Sequence, residues 1–149
     1  SRPHEASTLN MLAQLNRSQH QYDKAIENSE QALALARDVK NPEYELNALQ
    51  NLAWTENDRG NLETARSRIE EALKVAESLR SDLVSPTSRA SLLASVQTSY
   101  QLYTDILMRQ NKAEPGKGFD ALAVEVSERQ RASALAVFPD PRLVLGPIY

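Results

Sequence analysis

The stretch Leu9-Asn10-Met11-Leu12-Ala13-Gln14 returns forty residues later as Leu49-Gln50-Asn51-Leu52-Ala53-Trp54. The echo continues without a gap. Ala25, Glu30, Ala32, Leu33 and Ala36 come back as Ala65, Glu70, Ala72, Leu73 and Ala76. The matching positions are mostly Leu and Ala at helical spacing. An internal period in this range marks stacked helical repeats.

Composition agrees with that reading. The 149 residues suit one continuous core. There is one Trp, with five Tyr and two Phe, so the apolar content rests on Leu and Ala. Small side chains let helix axes approach closely, and Ala is also the best helix former. The formal charge is −3 with both signs mixed along the chain. No basic block or aromatic–basic interleaving is present, so no nucleic-acid partner is expected. No apolar run approaches the roughly 20 residues of a membrane helix, so no membrane partner is expected either. The absence of cysteine removes disulfides, thiolate metal sites and a Cys nucleophile. The expected location is the cytoplasm, any N-terminal signal lying outside this sequence.

The spacing predicts six helices. The first runs from about Pro3 to Ser18, with Leu9, Leu12, Ala13 and Leu15 or Asn16 on its inner face. A polar turn at Ser18-Gln19-His20-Gln21 leads into a second helix carrying Tyr22, Ala25, Ile26, Ala32, Leu33, Leu35 and Ala36. It stops near Lys40, because Asn41-Pro42 resists continuation. Leu46, Leu49, Leu52 and Ala53 define the third helix, closed by Gly60-Asn61. The fourth carries Leu62, Ala65, Ile69, Ala72, Leu73, Ala76 and Leu79. Its outer charges, from Glu63 to Glu77, read as a solvated face with weak i,i+4 pairs. Ser85-Pro86-Thr87 punctuates the next boundary. A fifth helix follows over 87–110, then a loop over 111–118 and a sixth helix over 119–137. This third pair echoes the first two loosely. The last residues, from Phe138-Pro139-Asp140-Pro141 to Gly146-Pro147, exclude a helix and read as an extended apolar tail.

The two strong units resemble tetratricopeptide repeats. Leu9, Leu12, Ala13, His20, Tyr22, Ala25 and Ala32-Leu33 fill that family's pattern once; Leu49, Leu52, Ala53, Gly60, Leu62, Ala65 and Ala72-Leu73 fill it again. The period is 40 rather than the family's usual 34, and Asn16 and Glu56 stand where a helix A aromatic is usual. The resemblance implies an all-α fold, an α–α superhelix of about three antiparallel pairs over 3–40, 42–83 and 87–137, with a tail at 138–149. The stretch from Arg89-Ala90-Ser91-Leu92-Leu93 to Ser127-Glu128-Arg129-Gln130-Arg131-Ala132 is similar to the segment before a CHAT domain in bacterial, especially cyanobacterial, repeat proteins. CHAT domains are caspase-like and carry a His–Cys dyad. The resemblance covers about Thr8 to Leu135, and the tail does not match it. It implies the regulatory repeat region of a larger bacterial protein.

Repeat arrays curve, and helix A residues line the concave side. Carrying over the family's groove positions gives Asn10, Gln14 and Arg17 in the first unit. In the second it gives Gln50, Trp54, Asn57 and Asp58, and in the third Gln97 and Gln101. Amides offer both donors and acceptors, which suits a peptide backbone. Trp54 stands where the first unit has Gln14, so it is no repeat-core position. It is either a partner anchor or a filler against a neighbouring helix. The Lys and Asn of a carboxylate clamp are absent, since Asn10 with Gln14 and Gln50 with Trp54 occupy those places. The expected partner is therefore a protein or peptide bound without capture of its C-terminal carboxylate.

No chemistry assembles. His4 and His20 lack a nucleophile at a readable spacing, and the acidic residues are dispersed without metal-ligand clusters. Pro115-Gly116-Lys117-Gly118 lacks the leading Gly and trailing Ser or Thr of a phosphate loop. No catalytic residue, metal or cofactor is expected. Two functional readings result: a binding scaffold, or an autoregulatory arm of a CHAT-type effector. The open end of the array is expected to be covered by a homodimer or by a missing downstream domain. The tail, Leu143 to Tyr149, is expected to pack on a helical surface.

Overall fold

The computed structural model describes residues 2–79 and 86–137. The chain forms α1 (Arg2–Ser18), α2 (Tyr22–Asp38), α3 (Pro42–Asp58), α4 (Leu62–Leu79), α5 (Pro86–Ala113) and α6 (Phe119–Val137). No strand occurs among the described residues. The fold is all-α, with neighbouring helices packed in pairs, as a tetratricopeptide-like superhelix requires. Two compact units are present, Ser1–Leu79 and Arg80–Tyr149.

In the first unit each helix packs on the one before it, and α1 also meets α3. The close approach comes from alanine. Ala13, Ala25, Ala32 and Ala36 are fully buried, and so are their echoes Ala53, Ala65, Ala72 and Ala76. Leu33, Leu49, Leu52, Ile69 and Leu73 fill the remaining space.

The turns repeat one geometry. His20, Lys40 and Gly60 all take positive φ, at 60°, 56° and 85°. Each follows a helix whose closing bonds fold back in the same way. The amides of Gln21, Asn41 and Asn61 donate to the carbonyls of Asn16, Ala36 and Glu56 at 2.8, 2.9 and 2.8 Å. The amides of His20, Lys40 and Gly60 donate to Arg17, Arg37 and Asn57. This is a left-handed C-terminal cap, suited to glycine and strained for other residues. Asn41 then caps α3, its Oδ1 accepting from the Tyr44 amide at 3.1 Å, with Pro42 in the first turn. Lys40→Gly is expected to stabilise the first unit by about 0.5–1 kcal/mol. Relief of the left-handed strain exceeds the entropy that glycine adds to the unfolded chain. Thermal unfolding followed by circular dichroism checks this.

Two expectations for α1 are corrected. Leu12 is 41% exposed and Leu15 51% exposed, so neither sets its inner face. Ala6, Asn10 and Ala13 do, with Leu9 and Asn16 half-buried. Their echoes Leu52 and Thr55 are each 1% exposed. The difference is positional: α3 has the α1–α2 pair on that side, and no described helix covers α1 there. Outer charges also pair between helices. Arg37 of α2 meets Glu45 of α3 at 3.0 Å and Glu71 of α4 at 3.3 Å, and Arg68 of α4 meets Glu30 of α2 at 3.8 Å. Arg2 pairs with Asp38.

In the second unit α5 and α6 pack together. Leu92, Val96, Tyr100, Leu102, Tyr103, Ile106 and Leu107 are buried on α5, with Ala123, Val126 and Ala134 on α6. Met108, Ala132 and Leu135 are exposed rather than internal. α5 also outruns its expected end at 110, reaching Ala113 with Glu114 N donating to Gln110 O at 2.8 Å. Nothing from Asn111 to Ala113 breaks a helix, and Pro115 is the first residue that does. The expected end of the second pair at 83 and the tail at 138–149 lie outside the described residues.

Candidate functional site

α1 and α3 lie side by side, so residues on their facing edges meet across the first unit. At the C-terminal ends of the two helices, the Arg17 guanidinium sits 5.2 Å from the ring centroid of Trp54. Arg17 Nε also lies 3.7 Å from Asp58 Oδ2. Both side chains of that ion pair are about one-third exposed, at 33% and 39%. Trp54 is half-buried. Three of the expected groove residues, contributed by both repeats, therefore form one contact cluster. A guanidinium over an indole face is attracted by the ring quadrupole, which holds both planes in place. Gln14 is exposed one helical turn from Arg17 on α1.

Deeper along the same helices the amides are internal. Asn10 is buried, and Asn51 Nδ2 donates to Asn10 Oδ1 at 3.3 Å and to the Asn10 carbonyl at 3.4 Å. Asn10 Nδ2, also buried, has no hydrogen-bond partner. Thr55 Oγ1 donates to the Asn51 carbonyl at 2.8 Å. Gln50 and Asn57 are buried as well. Asn51 was not among the sequence candidates. Its signal was present: a contact between adjacent A helices pairs position 10 with 51, off the forty-residue register that aligns Asn10 with Gln50.

Beside Asp58 the charges continue. Arg59 meets Asp23 at 3.4 Å and Glu56 at 3.7 Å. The Glu56 contact is an ion pair beyond hydrogen-bond reach, and Glu56 Oε2 is buried with no hydrogen bond. His20, in the turn between α1 and α2, places Nδ1 2.9 Å from the Tyr22 hydroxyl, with the rings edge to face.

In the second unit Gln97 Oε1 accepts from Gln130 Nε2 at 2.6 Å, and Gln101 is exposed. Among the described residues no group of His, Asp or Glu is arranged to hold a metal ion. No described helix is long and apolar enough to cross a membrane.

A contact cluster shared by two A helices, made of aromatic, cationic and amide groups, can bind by stacking, ion pairing and backbone hydrogen bonds. It offers no nucleophile with an adjacent base. No curated protein matches the chain. The tetratricopeptide repeat family model matches residues 4–78, which is the span of the Ala-packed helices and of the Arg17–Trp54 contact. The chain belongs to the tetratricopeptide repeat family.

Proposed function

We propose that this protein is a non-catalytic scaffold that binds a protein or peptide across the α1–α3 edge of its first unit. The observation that carries the reading is the Arg17–Trp54–Asp58 contact, in which residues from two repeats converge at a half-buried indole. Tetratricopeptide repeats are generally interaction scaffolds, and aromatic and arginine side chains are the commonest binding anchors. Gln14 adds an exposed donor and acceptor for a peptide backbone. The buried Asn10, Gln50 and Asn57 serve as its floor, holding the helices in register beneath the contact surface. Gln97 and Gln101 stand on α5 of the second unit, Gln97 bonded to Gln130 and Gln101 exposed.

The lone tryptophan provides the test. Peptides selected by display against the full chain should change Trp54 emission on titration. Arg17→Ala and Trp54→Ala should each weaken them by about ten- to thirtyfold, the range of an interface anchor, while circular dichroism stays helical. Selected peptides that bind both variants undiminished would place the surface elsewhere.

A second reading rests on the resemblance of Arg89–Ala132 to the segment before CHAT domains. In it this chain is the regulatory repeat region of a larger bacterial protein, and α5–α6 docks on a caspase-like effector while the first unit senses a signal. The parent reading frame tests it: a downstream His and Cys pair supports the reading, and its absence removes it.

A further inference from the structure

In the first unit Arg2, Arg37, Arg59 and Arg68 each donate a hydrogen bond to a carboxylate. Arg17 does not. Its guanidinium is held by the Trp54 ring at 5.2 Å, and Asp58 Oδ2 stops 3.7 Å from its Nε, beyond hydrogen-bond reach. Among the described residues the Asp58 carboxylate and the Trp54 indole N–H likewise make no hydrogen bond. None of these atoms is among the buried ones left without a partner, so water serves them in the free chain. The cluster therefore holds a cationic donor and an anionic acceptor side by side, both unspent.

The chemistry of that pair selects its occupant. An incoming carboxylate that reached Arg17 would stand against Asp58. An incoming ammonium that reached Asp58 would stand against Arg17. Like-charge contact at an interface is strongly unfavourable. A neutral group with an acceptor next to a donor meets neither penalty. In an extended chain the C=O and N–H of one residue point to the same edge, which is how facing residues of an antiparallel pair exchange two hydrogen bonds. Here each bond would have one charged partner, and such bonds are stronger than neutral ones. A primary carboxamide side chain offers the same two atoms, and the experiment separates it from main chain. α1 supplies Arg17 and α3 supplies Asp58, so the pair exists only where the two repeats meet.

We propose that Arg17 and Asp58 clip one residue of an extended partner segment by its backbone. The C=O of that residue accepts from the Arg17 guanidinium, and its N–H donates to the Asp58 carboxylate. The clip rests on the scaffold reading above and specifies what the cluster reads: main chain rather than a charged side chain. Recognition at this point tolerates the partner's sequence, and preference for particular side chains comes from neighbouring positions.

The experiment uses the full chain and the display-selected peptides. Each backbone amide of a peptide is replaced in turn by an ester, which removes one N–H and leaves the side chains intact. One ester should weaken binding to the wild type about tenfold and to Asp58→Ala less than twofold. Asp58→Asn keeps a carbonyl acceptor, so the same ester should still cost it about threefold or more. Asp58 is exposed, and circular dichroism checks that both variants stay helical. Two results would overturn the clip and leave the scaffold reading standing. In the first, binding still depends on Arg17 and Trp54, but every ester has the same effect on the wild type and on Asp58→Ala. In the second, the effect that vanishes in Asp58→Ala belongs to a charged or carboxamide side chain of the peptide exchanged for Ala. Peptides that bind Arg17→Ala and Trp54→Ala undiminished would remove both readings.

Discussion

Leu52→Ala is expected to destabilise the first unit by about 3 kcal/mol, and Leu12→Ala by less than about 1 kcal/mol. The two leucines occupy equivalent positions of one repeat, so sequence pattern alone predicts equal losses. Leu52 is 1% exposed, and its removal leaves a cavity walled by alanine-packed helices whose backbones cannot easily close on it. Leu12 is 41% exposed, so truncation loses part of one contact and leaves no cavity. Urea unfolding followed by Trp54 fluorescence reads the first unit directly. With an m-value of about 2 kcal/mol/M, the Leu52 variant should shift the midpoint down by about 1.5 M, and the Leu12 variant by less than 0.5 M. Equal shifts would mean that the α1 face is covered.

That contrast also shows where the sequence stops being informative. Helix placement was legible because Leu and Ala recur at helical spacing and because Asn41-Pro42 and Gly60-Asn61 end helices by local chemistry. The capping geometry at His20 and Lys40 was less so. Histidine tolerates positive φ better than lysine does, but neither is glycine, and the turn adopts it because the helices on both sides fix the chain reversal. Burial of Leu12 and Leu15 was illegible, since it depends on which helix lies outside α1 rather than on α1 itself. The extension of α5 to Ala113 was missed for a different reason. The polar run from Asn111 reads as a loop, yet it contains no helix breaker before Pro115.

The candidate site divides in the same way. Arg17, Trp54 and Asp58 are recoverable from repeat position, because groove residues follow the helix A register. Their convergence is a product of the α1–α3 packing. The burial of Asn10, Gln50 and Asn57 depends on how deeply the helices interlock, which polar composition does not reveal. Asn51 escaped because aligning repeats compares like with like, whereas touching residues on neighbouring A helices are offset by one.

The buried amide pair carries the second large effect. Asn51→Leu is expected to cost about 2–3 kcal/mol. It removes the donor to Asn10 Oδ1 and to the Asn10 carbonyl, and it leaves the Asn10 amide group wholly unpaired inside the protein. Leucine keeps asparagine's branch at Cγ but is larger, so the loss combines polar desolvation with some overpacking. The double variant Asn10→Leu with Asn51→Leu should then recover most of the stability, because replacing both partners by apolar groups leaves no orphan. A coupling of about 2 kcal/mol between the two substitutions, measured by urea unfolding of the four proteins, is the expected result. Additive losses would show that the two amides act independently, and that water or another group satisfies Asn10. The recovered double variant has a functional use as well. Its α1–α3 edge would be held by apolar contact alone, which does not fix one register as a directional amide bond does. If the pair positions Arg17 against Trp54, peptides bound by the wild type should bind the stable double variant more weakly. Affinity and stability would then separate, as they must when buried polar groups serve to align a surface rather than to hold the fold.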